Sequence, residues 1–362
     1  MTLPVRSAVV ASPDYPFSPV AARFKLDQNE SAQDFPAALK ALVLQRLAQA
    51  EWHRYPDLNG EALAADIARH EHWSAAGTVV TTGSNVLIAL LIQLAALGGS
   101  VVTVAPNFAL YALDARLLGA ALIELPLRSA DLSIDIDALI AALGQRPAGE
   151  GAPKGAIYLP RPHAPTGSIS ALADLERLAQ ASAGWLLVID EAYHHFADSH
   201  ALDLARRHPH VVLLRTFSKA WGLAGLRLGY ALTSDGVARQ LRKLVPPFGV
   251  SLLQTVAAQV ALAHPDYLHD NVAATIAERQ RLHAALLRHP RWQVLPSQAN
   301  FLLIRTPDAA AAHAQLLAQG VLVRRQDSLP LLQGCIRVSV GNREANDAFL
   351  AAAGLSAGPG PD

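Results

Sequence analysis

Between residue 60 and about residue 240, short apolar runs alternate with helical patterns, and nothing else in this chain constrains its fold as much. The runs are Ser100 to Ala105, Ala156 to Leu159, Trp185 to Ile189, Val211 to Leu214 and Leu228 to Leu232. They are nearly continuous in apolar residues rather than alternating. A strand of that kind must be covered on both faces, the environment of a parallel sheet flanked by helices. Helical periodicity lies between them at Asn85 to Leu97, Ala109 to Leu118, Ile136 to Leu143 and Ala171 to Ala181. The alternation predicts an α/β fold built on a large, doubly wound and mostly parallel sheet.

Beyond about Ser251 the pattern changes. A long helical stretch, Leu252 to Leu287, is interrupted near His264-Pro265 and leads into short runs. These are Trp292 to Leu295, Asn300 to Ile304, Val321 to Arg324 and Cys335 to Val340. This reads as a smaller α+β domain. The Pro-rich first 45 residues or so read as an irregular arm packed against that domain or a neighbouring subunit. The expected division is a large domain over 45–245, with 1–44 and 246–362 forming the arm and the small domain.

Composition excludes several classes. Lysine plus arginine equals aspartate plus glutamate, and there is no basic stripe, so nucleic acid is not an expected partner. The single cysteine, Cys335, rules out an intramolecular disulfide and a Cys-based zinc site, and it suits a reducing cytoplasm. The first residues lack the apolar stretch of a secretory leader, and Val86 to Leu97 is too short to span a bilayer. No membrane association is expected. His194 and His195 have no suitably spaced carboxylate or cysteine, so no metal is expected.

The chemistry concentrates where apolar runs end. Val211 to Leu214 leads into Thr216, Ser218 and Lys219, then a Gly-rich turn (Gly222, Gly225) and Arg227. The only other lysines are Lys25, Lys40, Lys154 and Lys243. A lysine just past a buried strand, among hydroxyls and with an arginine eight residues on, suits a Schiff-base amine beside a phosphate. That phosphate would belong to pyridoxal phosphate (PLP). Asp190 ends the run WLLVID, where a carboxylate can keep a pyridine nitrogen protonated. Tyr193, three residues on, suits the ring's phenolate oxygen. Thr82 to Asn85 opens an apolar helix, and a helix N-terminus seats phosphate. Phe108, in PNFALY, suits ring stacking. Arg337 and Arg324 offer planar forks for a carboxylate.

In this order, these residues resemble the fold-type I PLP-dependent transferases, and more narrowly the histidinol-phosphate aminotransferase family. The matching segments are LDQNE (26–30), RYPD (54–57), TGSN, PNFALY, APTG, DEAYHHF, RTFSKAWGLAGLRLGY, GVLVRR and IRVSVG, which together cover nearly the whole chain. The resemblance implies that Lys219 forms the Schiff base and moves the proton at the substrate Cα. It implies Asp190 at the pyridine nitrogen, Tyr193 at O3′ and Phe108 on the ring. Ser84, Asn85, Ser218 and Arg227, with Thr216 nearby, would hold the phosphate. Tyr55 would reach the cofactor of the neighbouring subunit, which implies a homodimer with shared active sites. Arg337 would bind the substrate carboxylate, Arg324 its distal end, and Asn29 would border the substrate.

The chain departs from that family at one telling position. Where the family carries an asparagine that contacts O3′, this chain has Ala164, preceded by His163. Either Tyr193 serves O3′ alone or His163 leans in as a substitute. The implied activity is transfer of an amino group between an amino acid or amino phosphate, histidinol phosphate first among them, and 2-oxoglutarate. Two alternatives stand beside it: a decarboxylase resembling those that act on threonine phosphate, and a non-catalytic protein of the same fold.

Overall fold

The computed structural model describes residues 4–15, 19–144 and 154–356. After a short helix at Ser7–Ala11 the chain makes a short strand, β1 (Phe24–Leu26). Seven strands follow: β2 (Thr78–Thr81), β3 (Ser100–Ala105), β4 (Ala121–Pro126), β5 (Gly155–Pro160), β6 (Trp185–Asp190), β7 (Val211–Thr216) and β8 (Gly229–Leu232). Four more close the chain: β9 (Gln293–Val294), β10 (Phe301–Arg305), β11 (Val321–Arg325) and β12 (Cys335–Ser339).

The seven central strands form one sheet in the order β2-β8-β7-β6-β5-β3-β4. Its strands are parallel except β8, which runs antiparallel to both β2 and β7. All five strands expected from the apolar runs are present. The two unforeseen ones have mixed patterns: β2 begins and ends in threonine, and edge strand β4 is half exposed.

Successive side chains of a strand point to opposite faces, and here each face feeds its own core. Val101, Tyr158, Leu186, Val188, Val212 and Leu214 pack with helices Ser84–Ala95 and Ala109–Leu118. Val102, Ile157, Leu187, Ile189, Val211 and Leu213 pack on the other side, with helices Glu61–His70 and Leu172–Ala181. Both sets are buried, which is why the runs read as continuously apolar.

The second sheet has the order β1-β11-β12-β10-β9 and a separate core that includes Leu302, Val323, Val338 and Phe349. The long helical stretch divides at His264-Pro265 into Leu252–Ala263 and Asp266–Leu286. The arm is less irregular than its prolines suggest. β1 pairs parallel with β11, and Ala37–Ala48 is a helix whose Val43 and Leu47 join the core of the large sheet. Pro36 stands just before this helix, where a missing N–H costs nothing.

Candidate active site

The reversed strand β8 builds one end of the site. Gly229 lies opposite Thr81 on one side and Thr216 on the other. A Cβ on Gly229 would fall 2.2 Å from the backbone nitrogen of Ser84, so only glycine lets the start of helix Ser84–Ala95 sit this close. Gly83, at φ +94°, faces Arg227, whose Nη2 would be 2.9 Å from a Cβ there. Arg227 Nη1 donates to Ser218 Oγ at 3.2 Å and to the Ala224 carbonyl at 3.1 Å. The Ser218 N–H donates to Thr216 Oγ1 at 3.0 Å. A helix N-terminus, a hydroxyl and a guanidinium thus converge around a glycine cradle, a seat for a phosphate. Ser84 is buried in its first turn and Asn85 is exposed there.

Asp190 ends β6 on the face of Leu186 and Val188. Its Oδ2 accepts from the Tyr111 hydroxyl at 2.8 Å and its Oδ1 from the Ala192 N–H at 3.0 Å. Burial pushes its pKa up, and these two donors oppose the rise. Phe108 stands edge-on to Tyr111, with centroids 5.6 Å apart.

Lys219 is partly buried, and its Nζ donates to the Gln28 carbonyl at 3.0 Å. Burial, then the Arg337 charge, pushes its pKa down to about 8, with Glu30 opposing. A larger share of the amine is therefore neutral and nucleophilic near neutral pH. Nζ lies 5.8 Å from the centre of the Tyr193 ring. The Tyr193 oxygen accepts from Asn29 Nδ2 at 3.0 Å, which leaves its own O–H free to donate elsewhere. Asn29, at φ +53°, is held by Ser339 Oγ, which accepts from its N–H at 2.8 Å, and by Asn300 Nδ2, which donates to its carbonyl at 3.0 Å.

Arg337 lies across the Phe301 ring, 5.3 Å from its centroid, and donates through Nη2 to the Asp27 carbonyl at 2.9 Å. Its Nε is buried with no hydrogen-bond partner among the described residues, a donor that a carboxylate could satisfy. Arg324 is its register partner on β11.

Asp190, Tyr193, Lys219, Arg227, Arg337 and Asn29 therefore meet at the carboxyl ends of β6 and β7, where the arm and the second sheet close over them. Two further expected residues make contacts of their own. Tyr55 is 83% exposed and stacks on Phe248, with centroids 4.8 Å apart. His163 is fully buried, its Nδ1 2.8 Å from Thr166 Oγ1, and burial pushes its pKa down to about 4, so the ring is neutral. Ala164 packs with Ala299, Phe301 and Tyr193. Tyr111, Asn300 and Ser339 are the contributors that sequence reasoning passed over. Tyr111 carried a signal, since it lies three residues after Phe108 at the start of a helix and so shares its face.

These groups fit PLP: an anion seat, a buried carboxylate and a depressed amine lie around one space. Residues 23–352 match the family of class I and II aminotransferases. A histidinol-phosphate aminotransferase of Deinococcus radiodurans is 46% identical over 350 residues, 96% of this chain and 95% of that protein. The chain belongs to the class I and II aminotransferases, PLP-dependent enzymes, and within them to the histidinol-phosphate aminotransferase family. A crystal structure of the histidinol-phosphate aminotransferase of Sinorhizobium meliloti in complex with PLP has a TM-score of 0.80 at 29% identity, covering 92% of this chain and 90% of that one. The L-threonine-O-3-phosphate decarboxylase of Porphyromonas gingivalis shares the fold, with a TM-score of 0.76 at 20% identity over 91% of this chain and 98% of that one. No helix of the described residues is long and apolar enough to cross a membrane.

Proposed function

We propose that this aminotransferase takes histidinol phosphate as amino donor and 2-oxoglutarate as acceptor, in the cytoplasm. The observation that carries the reading is Arg337, with its unsatisfied buried Nε, acting on the Lys219 amine and in register with Arg324 on the next strand. The donor's phosphate, which stands where an amino acid carries its carboxylate, and either carboxylate of the acceptor each suit a guanidinium fork. The 46% identity to a protein of that name supports the choice. It disfavours the decarboxylase and the non-catalytic protein.

PLP, when bound, supplies the electron sink that stabilises negative charge at the substrate Cα. In this reading the chain's own residues do the rest. Asp190 would accept a hydrogen bond from the protonated ring nitrogen, and the free O–H of Tyr193 would donate to the ring oxygen. Phe108 covers the ring face. Ser84, Asn85, Thr216, Ser218 and Arg227 hold the phosphate. Arg337 fixes the donor's phosphate so that the Cα proton faces Lys219 Nζ, which takes it and returns it one atom away, and in the second half-reaction Arg337 takes a carboxylate of the acceptor. Asn29 keeps Tyr193 in place. With Ala164 unable to donate, Tyr193 serves O3′; His163 bonds Thr166 through Nδ1, while its Nε2 is buried with no hydrogen-bond partner among the described residues.

The exposed Tyr55, Trp52 and Phe248 support a homodimer in which Tyr55 completes the partner's phosphate seat. We also read residues 45–245 as the large domain, and 1–44 with 246–362 as the arm and small domain; helix Ala37–Ala48 runs across the first border.

The test is an absorption spectrum of the PLP-loaded protein before and after each amino donor. Bleaching of the visible band by histidinol phosphate, with recovery on adding 2-oxoglutarate, is the expected result. Bleaching only by other donors would overturn the substrate and leave the aminotransferase standing.

A further inference from the structure

The carboxylate of Asp190 has one side-chain donor among the described residues, and it is Tyr111. That tyrosine is completely buried. Its ring stacks on Tyr158 (centroids 5.2 Å apart, 26° between planes) and meets Phe108 edge-on. Tyr158 is pinned in turn, because its hydroxyl donates to the Ile88 carbonyl at 2.9 Å. Packed between these rings, Tyr111 is held with its hydroxyl on Asp190. Burial and the adjacent Asp190 push its own pKa far above the usual tyrosine value, so it keeps its proton and stays a donor.

We propose that Tyr111 is a positioning residue of the cofactor site, whose hydroxyl keeps the Asp190 carboxylate ionised and turned toward the pyridine nitrogen of PLP. The inference rests on the reading of Asp190 as the partner of that nitrogen. A buried carboxylate without donors would rather be neutral. An arginine could also keep it ionised, but would compete with the pyridinium for its charge. A neutral phenol stabilises the charge without cancelling it. Without Tyr111, the proton shared between Asp190 and the ring nitrogen moves toward the carboxyl. The ring loses positive charge, and the nitrogen joining Lys219 to the cofactor becomes more basic.

The experiment compares Tyr111→Phe with Tyr158→Phe, which removes a neighbouring buried hydroxyl that does not touch Asp190. Both are loaded with PLP and no amino donor is added. The visible band of Lys219-bound PLP is titrated with pH, and PLP affinity is measured by equilibrium dialysis. Tyr111→Phe is expected to raise the titration midpoint by roughly half to one pH unit and to weaken PLP binding about tenfold. Tyr158→Phe is expected to leave both unchanged. Tyr111→His, whose ring N–H can donate in place of the hydroxyl, is expected to bring the midpoint back toward the wild-type value, and it carries the test should Tyr111→Phe not fold. An unmoved midpoint in Tyr111→Phe, or an equal shift in Tyr158→Phe, would overturn the proposal. Absence of the visible band from the wild-type protein would instead overturn the cofactor reading beneath it.

Discussion

Asp190 and Glu191 are neighbours in sequence, and both are buried carboxylates, yet the protein completes only one of them. Asp190 turns to the face of helices Ser84–Ala95 and Ala109–Leu118, and receives two neutral donors, Tyr111 and the Ala192 N–H. Glu191 turns the other way. There its Oε2 accepts from Arg215 Nε at 3.0 Å and Nη2 at 2.7 Å, and its Oε1 from the Ala201 N–H at 2.5 Å. Arg215 also pairs with Glu71, which accepts from the Tyr230 hydroxyl. Arg215 on the next strand and Lys219 just past its end repeat the contrast. Arg215 is fully paired, whereas burial pushes the Lys219 amine down to about 8. The closed network ties β6, β7, β8 and the end of helix Glu61–His70 together. The open group a few ångströms away is left for a ligand to complete. Buried charge is tolerated in either case only because a counter-group is fixed beforehand.

If this contrast is right, substitutions on the two sides fail in different currencies. Lys219→Ala is expected to cost most: loss of the visible band and a fall in turnover on the order of 10^4-fold or more, with the melting temperature of the PLP-free protein little changed. Arg215→Met leaves Glu71 and Glu191 buried and unpaired. It should lower stability by about 3–5 kcal/mol in denaturant titration. Adding Glu71→Gln and Glu191→Gln should recover most of that loss, and a triple variant no better than the single one would break the comparison.

Tyr193→Phe removes one free hydroxyl from the open side. Turnover should fall up to about tenfold, with stability unchanged. The closed side also predicts a pH effect. Burial, then the charge of Arg215, pushes the His195 pKa down to about 3, and His194 is depressed for the same reasons. The folded state therefore resists protons that the unfolded chain accepts. Stability is complete above the ordinary histidine value near 6.5 and falls as pH drops from there toward 3. His195→Gln should flatten the slope of melting temperature against pH below 6.5. The smallest expected effect is on the free Lys219 amine, whose modification by an amine reagent in the PLP-free protein should be half-maximal near pH 8 rather than beyond 10.

Much of this was legible beforehand, for reasons that differ by residue. The five central apolar runs announced their strands because both faces of the large sheet are covered. β2 and β4 escaped because threonine ends and a half-exposed edge dilute that signal. Asp190 and Lys219 stood out because an ionisable group at the end of a buried strand is costly without a purpose. Tyr111 did not, because a tyrosine in a helix reads as core until its hydroxyl is seen to have an acceptor. Asn300 and Ser339 escaped because each is a lone polar residue, one just before β10 and one at the end of β12, the central strand of the second sheet, where no periodicity marks it.

What the chain by itself determined is local: which segments are strands, where a buried run ends in an ionisable side chain, and which glycines precede a helix. Only the tertiary structure decided that β8 runs backward between β2 and β7, so that Gly229 lies against Ser84 and Gly83 faces Arg227. It also turned Asp190 toward Tyr111 and Glu191 toward Arg215, and took His163 into a bond with Thr166. The physical reason is that hydrophobic periodicity reports burial but not partners. A hydrogen bond or an ion pair exists only when two elements distant in the chain are brought within about 3 Å of each other.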